Sequence, residues 1–159
     1  MSELIDKEQF INRIRRSRKA WEQALLLLDD HTLQQPGFSG EWSGKDVIAH
    51  ITWHEKEMNG LIGAHALVGS ELWHLPLDQR NAAIYAENKD RSLDDVRQEA
   101  RQVYAQLLKL LDTLSEEDIH DPGRFSDMPP DWQPWKLIAE NTFGHYDDHL
   151  PQALAFLAR

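Results

Sequence analysis

The sequence predicts an all-α fold, a four-helix bundle whose second and third helices are joined by a long crossover. Three observations carry this. Four segments repeat apolar residues at helical spacing. Two of them open on a Ser-x-x-Asp start signal. No alternation of apolar and polar residues competes for β structure. The 159 residues suit one domain spanning 1–159.

The first helix is expected from about Lys7 to Asp30, with Phe10, Ile14, Trp21, Leu25 and Leu28 on one side. The second starts where Ser43 and Asp46 form the cap, and Val47, Ile51, Met58 and Leu61 share its inner face. The third opens at Ser92 with Asp95 and runs through Val96, Ala100, Val103, Leu107, Leu111 and Leu114. The fourth begins near Pro134, a residue suited to a first helical turn, and continues through Leu137, Ile138 and His145 to the carboxyl end. Pro151 has no N–H for the Asp147 carbonyl, so a bend is expected just after His149. The crossover, Val68 to Arg91, holds a short helix around Leu77–Glu87. Residues 115–133, with Pro122, Gly123, Pro129 and Pro130, read as an irregular loop. Residues 41–50 and 131–140 resemble each other faintly, each placing a Trp before a helix start as an aromatic plug.

Composition excludes several functions. The net charge of −10 repels a polyanion, so nucleic acid is not an expected partner. The one basic cluster, Arg13, Arg15, Arg16, Arg18 and Lys19, reads as a solvated helix face. Apolar runs such as Ala24–Leu28 are too short to span a membrane. The polar start MSELIDKEQF lacks signal character, and a cytoplasmic location is expected. Cysteine is absent, which removes disulfides, thiolate ligands and a cysteine nucleophile, and leaves histidine as the nitrogen ligand.

Two histidine pairs stand at spacing four, His50/His54 and His145/His149. At about 100° per residue, His50 and His54 fall within the apolar stripe of their helix. His145 and His149 share a strip with Ile138, Thr142 and Phe156, while Asp147 and Asp148 straddle it and are more exposed. Inward imidazoles need a hydrogen-bond partner or a metal, because a buried unpaired polar group costs roughly 1–3 kcal/mol. Spacing i, i+4 lets two imidazoles chelate one ion, and a third from a facing helix leaves an open position. Spacing and face alone leave both readings open, hydrogen-bonded core histidines or a metal site. If histidines ligate, metal affinity is expected to weaken as pH falls through ~6.5.

Trp42-Ser43-x-x-Asp46-x-x-x-His50 followed by His145-x-x-x-His149 resembles the DinB/YfiT-like four-helix-bundle superfamily, over essentially the whole chain. The resemblance implies a divalent metal, zinc or nickel, held by His50, His145 and His149. It also implies a thiol-dependent S-transferase or a hydrolase acting on a small electrophile in detoxification or stress response, with a low-molecular-weight thiol as a second cofactor. Trp73-x-x-Pro76, Asn81-x-x-Ile84-Tyr85 and Ser92-Leu-x-x-Val96 are similar to the ClbS/DfsB-like branch as well. That branch implies an alternative, a metal-free cyclopropane hydrolase, beside which stands a protein that sequesters a small molecule without turnover. His54, one turn from His50, is the candidate general base. Trp53, Asn81, Tyr85 and Tyr146 are candidates to line a pocket. The expected partner is a small-molecule substrate, with no membrane contact and with a homodimer left open.

Overall fold

The computed structural model describes residues 4–159. Asp6 accepts the Gln9 N–H at 2.7 Å while the Gln9 side chain accepts the Asp6 N–H at 3.1 Å. This capping box starts α1 (Lys7–Leu26). The helix ends four residues short of the expected Asp30. Asp29 instead accepts the Thr32 N–H at 2.7 Å and caps a separate turn, α2 (Asp30–Leu33). Ser43 and Asp46 form the anticipated box at the head of α3 (Gly44–Ala64), which closes at His65 in a left-handed conformation, φ 48°. The crossover holds a 3-10 turn over Glu71–His74 and then α4 (Leu77–Asn88), close to the expected short helix. Ser92 caps α5 (Leu93–Thr113).

Residues 115–133 carry more structure than the sequence suggests. Ser115 and Asp118 close another reciprocal box, which opens α6 (Glu116–His120), and a 3-10 turn follows at Pro122–Arg124. The capping signal was there, but a five-residue helix is too short to show a period.

The expected fourth helix is two helices, α7 (Pro134–Glu140) and α8 (Phe143–Leu157). Asn141 Nδ2 donates to the Leu137 carbonyl at 2.9 Å and Thr142 Oγ1 to the Ile138 carbonyl at 2.8 Å. Side chains that bond back to carbonyls four residues earlier compete with the helical ladder. The break therefore falls upstream of His145. Pro151 lies inside α8, and the helix continues through it. Pro151→Ala restores one donor, so it is expected to raise stability by up to about 3 kcal/mol without changing metal content. Thermal melts and metal analysis check this, and a loss of bound metal would give the proline a role at the site.

Among the described residues the long helices carry the core. α3 packs along α5, α1 along α8, and α3 meets α8 between them. Phe10, Ile14 and Trp21 interlock with Val47, Ile51 and Leu61, with Leu107 and Leu111, and with Ile138. Among the described residues the only strand-like pairings are isolated bridges, Ser39 with Trp42 and Ala66 with Ser126. No helix among the described residues is long and apolar enough to cross a membrane.

One residue departs sharply from its expected place. Arg13, Arg15, Arg16 and Lys19 are exposed, but Arg18 is only 5 % exposed. Its guanidinium pairs with Glu55, which is 0 % exposed, and its Nε lies 2.9 Å from Glu22. The Tyr146 hydroxyl donates to the same Glu55 oxygen at 2.5 Å, and the Arg18 guanidinium sits 4.2 Å from the centre of the Tyr104 ring. A buried guanidinium needs a buried acid. This clamp joins α1, α3, α5 and α8.

Candidate metal centre

α3 presents His50 and His54 one turn apart, and α8 presents His145 and His149 in the same relation. Ligand-capable atoms of His50, His145 and His149 all lie within 4.8 Å of one another. Ring centres stand 4.8 Å apart for His50 and His145, 4.8 Å for His145 and His149, and 5.7 Å for His50 and His149. His54 belongs to the same cluster, 4.6 Å from both His50 and His145. A tetrahedral zinc holds nitrogens at ~2.0–2.1 Å, about 3.4 Å from one another, so the three imidazoles would have to draw together to share one ion.

Two observations make this cluster fit a cation. Nδ1 of His50 and Nδ1 of His145 are buried without a hydrogen-bond partner. One ion can satisfy several such nitrogens at once. The imidazoles are also held in their neutral, ligating form. Burial, then the neighbouring imidazoles, pushes His50 down to about 3. Burial pushes His54 down to about 4, His145 well below its ordinary value, and His149 down as well.

These shifts correct the expected pH dependence of metal binding. Protons compete for a ligand only where the folded imidazole is charged, so content is expected to hold well below pH ~6.5. They also tie stability to pH. Each folded pKa lies below the unfolded value near 6.5, so the unfolded chain takes up protons first. Stability from the neutral imidazoles is intact above pH ~6.5 and is lost as pH falls, at about 1.4 kcal/mol per unit for each histidine. Metal-free protein is expected to lose stability steeply between pH ~6.5 and about 4. His54→Gln should flatten that slope in a pH series of thermal melts; an unchanged slope would mean that His54 is not held neutral.

The rings are oriented by their other nitrogens. The Gln152 amide oxygen accepts from His149 Nδ1 at 2.7 Å, which leaves Nε2 free to ligate. Gln152 is fixed in turn, donating to Ser39 Oγ at 3.0 Å. The His50 carbonyl accepts from His54 Nδ1 at 2.9 Å, so the His54 lone pair is on Nε2. Gln152→Ala is expected to weaken metal binding about 10–100-fold by calorimetry, the usual effect of freeing a ligand ring. Gln152 stands three residues after His149, one turn along the same face, and that spacing was a readable signal.

Aromatic residues fence the cluster. The Trp42 ring lies 5.3 Å from His50 and stacks on Tyr85 at 5.8 Å. Trp53 lies 4.9 Å from His54, and Trp73 lies 5.1 Å from Trp53 and 5.7 Å from His54. Trp73 Nε1 and the Ser70 N–H both donate to Glu57 Oε1, at 2.6 and 2.5 Å, which pins the crossover to α3. Gly69 permits this approach, since a Cβ there would sit 2.8 Å from Trp73 Cδ1. Asn81 holds a buried amide oxygen with no donor. Tyr146 is 0 % exposed and gives its hydroxyl to Glu55, so it lines no opening. Asp147 pairs with Arg13 at 2.7 Å and Asp148 is exposed, as their flanking positions suggested.

Two cavities of similar size indent the surface. One of about 510 Å³ lies beside α1 and α5 and touches none of the four histidines. The other, about 540 Å³, runs under the crossover past Met58, Leu61, Val68 and Trp132, and shares Trp73 with the fence.

A family model described as the DinB superfamily matches residues 13–153. The chain belongs to the DinB superfamily. Solved structures share this DinB fold. One titled "Sibling Lethal Factor Precursor - DfsB" is 20 % identical with a TM-score of 0.73, covering 96 % of this chain and 95 % of that one. A Streptococcus pneumoniae protein is 14 % identical with a TM-score of 0.76, at 98 % and 92 % coverage. An uncharacterised Escherichia coli UTI89 protein is 13 % identical with a TM-score of 0.73, at 95 % and 92 %. No curated protein matches the chain in sequence.

Proposed function

We propose that this DinB-superfamily chain is a metal-dependent enzyme acting on a small electrophile, by thiol-dependent S-transfer or by hydrolysis. The convergence of His50, His145 and His149 supports this reading above all else. Three protein nitrogens leave a coordination position open, which suits catalysis better than a structural role. A divalent ion there, zinc or nickel, supplies Lewis acidity that makes a water or a thiol a competent nucleophile near neutral pH.

The chain supplies position and polarity. His50, His145 and His149 would hold the ion, and Gln152 sets the His149 ring. His54 offers its Nε2 lone pair to the incoming nucleophile. An imidazole pushed down to about 4 binds a proton weakly, so His54 orients the nucleophile by accepting a hydrogen bond more than it removes the proton. Trp53 beside His54 and Tyr85 against Trp42 flank the approach, and Asn81 stands one turn before Tyr85 on α4. With no cysteine in the chain, a thiol nucleophile arrives as a small cofactor.

Metal analysis of protein purified without an affinity tag, then turnover of a generic electrophile with added thiols, tests the proposal. About one ion per chain and turnover that a chelator abolishes are expected. Turnover that survives chelation would overturn metal dependence in favour of a metal-free hydrolase. Binding of the electrophile without turnover would leave a sequestering protein.

A further inference from the structure

Four arginines among the described residues are withdrawn from solvent, and three of them have acids. Arg18 pairs with Glu55, Arg91 with Asp95 and Arg97 with Asp30. The fourth, Arg80 on α4, has no carboxylate of the described residues within ion-pair distance, and its Nε is buried without an acceptor among them. Arg15, Arg16, Arg101 and Arg159 also lack an acid, but water reaches them. Acids outnumber bases 27 to 17 in this chain, so a half-buried guanidinium without one stands out.

Arg80 is also held in place. Its guanidinium lies over the Trp73 ring, 4.9 Å from the centre, and Trp73 is fixed by Glu57 and faces His54. A fixed, partly desolvated fork of N–H donors without a counterion matches a planar oxyanion. No lysine or second arginine stands in the aromatic fence, so a phosphate dianion would be matched less well than a monoanion.

We propose that Arg80 receives a substrate carboxylate, so that the histidine site acts on small carboxylate-bearing molecules. The guanidinium takes the two carboxylate oxygens side by side, which directs the rest of the substrate past Trp73 toward His54. This rests on the histidine cluster being the reaction centre, and it makes Arg80 a specificity residue that takes no part in bond making.

Tryptophan fluorescence titrations of the whole chain with phenylacetate and with phenylacetamide test it, in the presence of a chelator and again with one equivalent of zinc. The acid is expected to bind at least about ten-fold more tightly than the amide in both conditions. Arg80→Met should bring that ratio to about one, and Arg80→Lys, which keeps the charge, should retain part of it. Zinc stoichiometry should be the same in all three proteins. A ratio near one in the parent, or a ratio that survives in Arg80→Met, would overturn the assignment. Tighter binding of phenylphosphonate than of phenylacetate would overturn the carboxylate class. Failure of zinc to bind would sink the metal reading alone, since the titration with chelator still decides the role of Arg80.

Discussion

Glu55→Ala is expected to lower the unfolding free energy by about 3–5 kcal/mol, because it leaves the buried Arg18 charge only the half-exposed Glu22. For a chain of this size that is a fall in Tm of roughly 6–20 °C. The loss exceeds that of an ordinary hydrogen bond, since the Tyr146 hydroxyl loses its acceptor at the same time. The pair as a whole is another matter. Replacing both ions by apolar residues, Arg18→Met with Glu55→Leu, is expected to cost less than the single change, because no uncompensated charge is left behind. Thermal and denaturant melts of the two variants separate the cases. A Glu55→Ala loss below about 1 kcal/mol would show that the clamp carries little weight.

His145→Ala is expected to abolish stoichiometric metal binding, with affinity falling by more than about 100-fold, beyond the range of a lost outer partner. His145 is the ligand of choice for the test. It lies close to His50, His149 and His54 alike, and its Nδ1 is buried without a partner. The change removes a desolvated imidazole, so metal-free protein should melt no lower at acid pH than the parent. Calorimetry with zinc and with nickel reads the first effect, and a melt near pH 5 reads the second. Undiminished binding in the variant would remove His145 from the ligand set and leave His54 as the third nitrogen.

What the sequence disclosed here follows from the range of the interaction. Ser43 with Asp46 and Ser92 with Asp95 act across three residues, so both helix starts were legible. The histidine pairs were legible because i, i+4 spacing on an apolar strip is itself a local pattern. Arg18 was misplaced because its buried partners, Glu55 and Tyr146, are 37 and 128 residues away, and an arginine among arginines reads as surface. The division between α7 and α8 was hidden because Asn141 and Thr142 interrupt the backbone while the apolar period runs on across them. Arg80 has no local signature at all. Its significance lies in a carboxylate that is missing, and only the packed structure shows an absence.

The clamp and the histidines are offset by one residue on each helix, Glu55 after His54 and Tyr146 after His145. Successive residues point about 100° apart, so the two sets occupy adjacent sectors of α3 and α8. Rolling either helix far enough to scatter the imidazoles would pull Glu55 off Arg18 or Tyr146 off Glu55. The clamp thus fixes the azimuth of both histidine-bearing helices while contributing no atom to the histidine cluster. Scaffold and chemistry are thereby separable: the imidazoles can be exchanged one by one with the phase of the helices unchanged, so the same frame can present other side chains at the same point between α3 and α8.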